Sequence, residues 1–204
     1  ADQGTPELDL LDMPVTGEPE DSERAARLMA ERGVSVAVVL GGDGTVRMVA
    51  RGVGQIPILP VSTGTNNIIP THVEGTVAGM AAAAVALHGI EVMRVAIRHK
   101  WLELLMNGVS ADGALVDVAA LSGHFLGARA VWNAGDLRQV VVTRADPATI
   151  GISAIAGVLR PVVPEAPLGV ALRLSPRERR RVLAPIGPGM VAEVDVLTGK
   201  KTVL

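Results

Sequence analysis

The sequence predicts an α/β chain with an N-terminal Rossmann-like open-sheet domain over residues 1–89. A mostly antiparallel β-sandwich domain is expected to follow over residues 90–204. Three observations point there. The apolar run Val34-Ser35-Val36-Ala37-Val38-Val39-Leu40 stops abruptly at two glycines. A second short run, Ile56 to Val61, also stops in a small-polar loop, Ser62 to Asn67, and candidate helices flank both runs. After about Gly89 the pattern changes to short strand-like segments divided by Gly and Pro clusters.

Residues 1–19 are acidic, carry Pro6, Pro14 and Pro19, and read as irregular. Ser22 is placed to cap a helix in which Ala25, Leu28, Met29 and Arg32 recur at helical spacing, with Gly33 as its stop. Val34 to Leu40 then reads as a central strand buried on both faces. Val46, Met48 and Val49 form a short helical face ended by Gly52 and Gly54. After the second strand, an alanine-rich helix over roughly Val73 to Leu87 closes this half. In the second half, Glu91–Ile97 and Trp101–Met106 flank the polar triplet Arg98-His99-Lys100 and are predicted to form a hairpin. Further strands are expected at Ala114–Leu121, Leu137–Thr143, Leu168–Leu174 and Met190–Leu197, and helices at Phe125–Trp132 and Ile150–Val158.

Composition narrows the function classes. A chain of 204 residues can bury a substantial core. Mean hydropathy is +0.38, yet no window of about 18 residues is free of charges and turn formers, which argues against a membrane span. The net charge of −2 offers no basic face for nucleic acid. With no cysteine there are no disulfides, no thiolate catalysis and no Cys-ligated zinc. The start lacks a basic-then-apolar leader, so a cytoplasmic setting is expected. Aromatics are limited to Trp101, Phe125 and Trp132, so a nucleotide site here would rely on backbone groups and aliphatic walls, not stacking platforms.

The segment Leu40-Gly41-Gly42-Asp43-Gly44-Thr45 carries the chemistry. Its glycines permit positive φ and leave bare amides between a strand and a helix start, which together form an anion site. An acidic residue inside a phosphate cradle is unfavourable unless it has work to do. Asp43 could accept a proton from an attacking hydroxyl or hold a magnesium ion against phosphates. The plainer alternative is a turn in which Asp43 caps the next helix and the glycines make room. The loop Ser62-Thr63-Gly64-Thr65-Asn66-Asn67, at the same expected sheet edge, favours the functional reading.

The run VVLGGDGTVRMVA, followed by PVSTGTNNIIP, resembles the ATP-NAD kinase superfamily, which shares GGDGT with diacylglycerol and sphingosine kinases. The STGTNN form is similar to the AcoX-like branch. Ala114-Leu115-Val116-Asp117-Val118 resembles the family segment Ala-Leu-Asn-(Glu/Asp)-Val, and Thr149 to Gly157 resembles its later Gly-Ser-Thr-Ala-Tyr-Ser region. The resemblance implies two domains with a cleft site, ATP as phosphoryl donor, a divalent metal, expected to be Mg²⁺, and Asp43 as base. It also implies phosphate binding by Gly41, Gly42, Gly44, Thr45, Thr63, Gly64, Thr65, Asn66 and Asn67, and acceptor binding by Asp117, Gly151 and Ser153. NAD is the favoured acceptor, and a homo-oligomer is expected. Val116 replaces the family asparagine, the family tyrosine is missing, and no opening family strand is recognisable in residues 1–19, so an N-terminally incomplete domain is expected.

Two rival readings stand beside this one: a lipid or polyol kinase, and a non-catalytic nucleotide-binding regulatory protein. His72, His88, His99 and His124 lack metal-ligand spacing, and no residue is assigned to a protein-held metal. Arg177-Glu178-Arg179-Arg180-Arg181 reads as a solvated loop, and Asp112 and Asp136 as turn residues.

Overall fold

A computed structural model describes residues 7–88, 92–123, 133–174, 180–187 and 190–196. Helix α1 runs over Glu20–Glu31. Pro19, not Ser22, is its N-cap. The reason is Asp21, whose carboxylate turns back to accept the amides of Thr16 at 2.7 Å and Gly17 at 2.8 Å and so fixes the entry of the chain. At the other end Gly33 takes φ +71°. The Gly33 amide donates to Ala30 and the Val34 amide to Met29, a Schellman closure available because glycine tolerates this conformation.

Strands β1 (Ala37–Gly41) and β2 (Ile58–Ser62) pair in parallel, in register from Ala37 opposite Ile58 to Gly41 opposite Ser62. Burial along β1 alternates: Ala37, Val39 and Gly41 are buried, while Val38 and Leu40 are exposed. The expected burial on both faces is therefore not found among the described residues. Helices α1 and α2 (Asp43–Gly52) gather on the Ala37 side, where Ala26 and Val53 complete a small core. The two helices pack so closely at Gly52 that a Cβ there would collide with the Glu23 carbonyl. Helix α3 spans Gly75–His88.

The predicted hairpin with Glu91–Ile97 does not form. Val92–Val95 is a short helix, α4, and β3 (Leu102–Met106) pairs instead with β4 (Val109–Ala114). The connection is Asn107-Gly108, with φ of 52° and 81°, the two positive values that a tight two-residue hairpin turn requires. The single strand expected over Ala114–Leu121 is broken. β5 (Asp117–Leu121) joins a different antiparallel sheet, β5-β6-β7, with β6 at Leu137–Val142 and β7 at Val170–Arg173. Thr143 makes the break: its amide donates to the Val116 carbonyl and its hydroxyl to that of Leu115.

Helix α5 (Ile152–Leu159) is buried from Ser153 through Gly157. Its small residues let it lie deep in the main core, with Leu137, Val140, Val142, Leu172 and Val182. β8 (Arg180–Gly187) and β9 (Met190–Val196) form the last antiparallel pair. Arg180 and Arg181 thus begin a strand and are not part of a loop, because β9 supplies their backbone partners. The expected helix at Phe125–Trp132 lies outside the described residues. The architecture is mixed α/β, with parallel pairing in the first half and antiparallel pairing in the second. Among the described residues no helix is long and apolar enough to cross a membrane.

Candidate functional site

Parallel pairing of β1 with β2 sets Gly41 beside Ser62, so the loops that follow both strands leave from one sheet edge. Side chains then stitch the loops together. The Asp43 carboxylate accepts the amide of Ile68 on one oxygen at 2.9 Å and that of Ile69 on the other at 2.8 Å. Asn67 works in the opposite direction: its Oδ1 accepts the Asp43 amide at 3.3 Å and its Nδ2 donates to Ser62 Oγ at 2.8 Å. The Ser62 hydroxyl in turn donates to the Gly64 carbonyl at 3.0 Å.

Of the two roles weighed for the glycines, positive φ and room, the second is the one found at Gly41 and Gly42. None of Gly41, Gly42 and Gly44 has positive φ; Gly42, the N-cap of α2, sits at φ −103°. What they provide is space. A Cβ on Gly41 would lie 2.7 Å from the Thr45 side chain, and one on Gly42 would lie 2.9 Å from Asn67 Oδ1. At Gly44 a Cβ would meet nothing, so this flank of the turn is open. Gly42 brings no side-chain cap, and the amides of Gly44 and Thr45, in the first turn of a 10-residue helix, have no acceptor within the helix. Thr63, Thr65 and Asn66 are exposed on the second loop, and Gly64 is half-buried.

From the second half, Asp117 opens β5 opposite Val142. Its side chain is half-buried, and the carboxylate has no hydrogen-bond partner among the described residues. Burial, and then the charge of Asp43, push its carboxyl up to about 6. The Asp43 charge is thus near enough to be felt at Asp117. Val116 beside it is buried. Gly151 and Ser153 use their polar groups inside the second half. Gly151, at φ +114°, starts α5 and donates its amide to Pro185 at 2.7 Å. Ser153 is buried and donates its hydroxyl to the Arg144 carbonyl at 2.8 Å.

Sequence reasoning missed the arginines. Arg47 and Arg51, one and two turns along α2 from Asp43, reach across to Asp112 of β4 at 2.8 and 2.9 Å, and Arg47 also donates to the Gly113 carbonyl. Asp112 is thus a strand residue tying α2 to the β3–β4 hairpin, not a turn residue. Its carboxyl is held below the usual range by the Gly113 amide and by both arginines, against the upward push of burial. Helical spacing of Arg47 and Arg51 was the available signal. Arg144 carried no local signal at all. Among the described residues no group of three or more acidic or histidine side chains gathers as a metal site.

Comparison with known proteins places the two halves in families. Residues 5–88 match the family described as the ATP-NAD kinase N-terminal domain, and residues 100–202 match the acetoin catabolism protein X C-terminal domain. Over 201 residues the chain is 44% identical to acetoin catabolism protein X of Cupriavidus necator, a match covering 96% of this chain and 56% of that relative. The chain thus spans about half the length of the curated relative it matches. No solved structure matches it. Two family domains in sequence, the GGDGT turn at Gly41–Thr45 and the long similarity place this chain in the ATP-NAD kinase superfamily, within its acetoin catabolism protein X branch.

Proposed function

We propose that this chain is an ATP-dependent phosphotransferase acting on a hydroxyl of a nucleotide-like acceptor, with NAD favoured and NADP as the product. The observation that carries the reading is the Asp43 stitch between two loops at one sheet edge, with Asp117 near enough to feel its charge. Residues 1–89 and 90–204 are taken as its two domains, the second a β-sandwich, a division supported by the two matched ranges. A cytoplasmic homo-oligomer is the form we expect.

In this reading the free amides of Gly44 and Thr45 at the α2 N-terminus bind phosphate oxygens, where the helix dipole favours negative charge. Thr63, Thr65 and Asn66 supply exposed donors from the other loop. Each Asp43 oxygen spends one lone-pair site on a backbone amide and keeps another, since a carboxylate offers about four. Asp43 takes the proton of the acceptor hydroxyl as its oxygen bonds to the terminal phosphorus. The bond from that phosphorus to the bridging oxygen breaks, and ADP leaves with the electron pair. Asp117, whose carboxylate has no partner among the described residues, accepts hydrogen bonds from ribose hydroxyls.

A nucleotide-borne magnesium ion takes one or two protein carboxylates and leaves its other positions to phosphates and water. Among the described residues no group of three or more acidic or histidine side chains forms a metal site, so phosphates and water would hold most of its positions. The ion would offset charge on the phosphates.

One observation favours a second reading, a non-catalytic nucleotide binder: both Asp43 oxygens already hold backbone amides, so the residue has a structural duty regardless of chemistry. Labelled ATP with magnesium and NAD distinguishes the two. Transfer of label to the dinucleotide is expected, whereas nucleotide binding without transfer to any hydroxyl acceptor would replace the kinase by the binder.

A further inference from the structure

Arg144 is fixed by its neighbours to an unusual degree. Its carbonyl accepts the buried Ser153 hydroxyl at 2.8 Å, and Thr143 before it is hydrogen-bonded to Leu115 and Val116. Ala145 after it forms an antiparallel bridge with Val162. From this fixed backbone the side chain crosses to the first half, where Nη1 points to the Ile68 carbonyl at 3.4 Å. Ile68 is the residue whose amide Asp43 holds. The peptide units around Ile68 therefore lie between the carboxylate of Asp43 and the guanidinium of Arg144.

That guanidinium is incompletely satisfied. Its Nε is buried and has no acceptor, and among the described residues no carboxylate lies within ion-pairing distance of it. Arg47 also has a buried, unbonded Nε, but its charge is met by Asp112. A partly buried cation with an idle donor and one long contact to a neutral carbonyl is costly unless an anion completes it.

A second cation stands close by. The Lys100 ammonium donates to the carbonyls of Val163 and Ala166, at 3.2 and 2.6 Å, and Val163 follows the residue bridged to Ala145. Burial lowers the Lys100 pKa below the ordinary lysine value, Glu165 opposes that, and Arg144 lowers it further. His99 is lowered by burial first and then by Arg144. Burial is the larger cause of both shifts, and in both the Arg144 charge adds to it while Glu165 opposes it.

We propose that Arg144, backed by Lys100, is a docking point for a phosphate or pyrophosphate group of the nucleotide that enters between the two halves. The site rests on the kinase reading for its nucleotide but not for its anion. A planar fork suits phosphate oxygens better than a point charge does. Ser153 then acts as a positioning residue for Arg144.

Isothermal titration of the wild type, Arg144→Gln and Arg144→Lys tests the assignment, using ATP, NAD, inorganic tripolyphosphate and adenosine. Arg144→Gln is expected to weaken tripolyphosphate, and whichever of ATP and NAD places its phosphates there, by about 10- to 100-fold, the worth of one charge-assisted contact. Adenosine affinity should not change, and Arg144→Lys should lose part of the affinity because it keeps the charge without the fork. The nucleotide that weakens identifies the source of the anion. Wild-type affinity for all phosphate-bearing ligands in Arg144→Gln would overturn the proposal, as would a wild type that binds none of them. If Arg144→Gln does not fold, undiminished affinity in Arg144→Lys overturns it instead. Arg144-dependent tripolyphosphate binding in a protein that transfers no phosphoryl group would leave the docking point standing and remove the kinase.

Discussion

Replacing Asp117 by Asn should stabilise the protein at neutral pH while damaging its site. In the folded chain this carboxyl titrates at about 6, against 3.8 for the unperturbed group. The folded state therefore holds the proton more tightly than the unfolded state. The contribution of this one group to stability is greatest below about pH 4, declines as pH rises between the two values, and levels off above about 6. At about 1.4 kcal/mol per unit, the ionised carboxylate costs the fold about 3 kcal/mol at neutral pH. Asn keeps the shape and carries no charge, so Asp117→Asn should recover up to that amount near neutrality and nothing below about pH 4. Urea unfolding of both proteins at the two pH values measures it. An equal effect at both pH values, or a destabilised variant at neutrality, would refute the reasoning. The cause can be tested in the same way. Asp43 is the second contributor to the shift, so in an Asp43→Asn background the gain from Asp117→Asn should shrink, a coupling that a double-mutant cycle reads directly. Under the kinase reading the same variant raises the acceptor KM with little change for ATP.

Asp43→Asn should lower phosphotransfer by about 10²- to 10⁴-fold as a lost general base. Because one amide of Ile68 or Ile69 then faces an NH₂ group, it should also cost about 1–3 kcal/mol of stability; a wild-type rate with labelled ATP would remove the base. Gly42→Val places its Cβ against Asn67 Oδ1 and pushes the loops apart, so calorimetric ATP affinity should collapse while most of the helix content survives by circular dichroism; unchanged affinity would refute it. Asp112→Ala strips Arg47 and Arg51 of their shared acceptor and should cost about 1–3 kcal/mol in denaturant unfolding, with no change counting against a structural link.

Much of the first half was legible in the chain itself. An apolar run ending in glycine, a Schellman glycine at position 33 and an alanine-rich segment are local signals, each produced by residues a few positions apart. The strand-to-helix turn at Gly41–Thr45 was equally readable, and so was the expectation that the Ser62–Asn67 loop shares its sheet edge. Asn107-Gly108 was readable too, and attending to it would have replaced the mistaken hairpin with the observed one.

Other features existed only once distant segments met. Whether the glycines of the turn serve backbone conformation or space depended on where Thr45 and Asn67 stand, and the structure decided for space. The break at Leu115–Val116 is imposed by Thr143, and the link between α2 and β4 by Asp112, 65 residues from Arg47. Arg144 is the extreme case: nothing adjacent in sequence distinguishes it from a solvated arginine, and the proposal for it rests on Ser153, Ile68 and the lack of a paired carboxylate among the described residues. Sequence patterns report periodicity and turn chemistry because these act through neighbouring residues. Charge pairing, desolvation and steric clearance act through space, so only the folded chain determines which carboxylate is raised and which cation is left waiting for an anion.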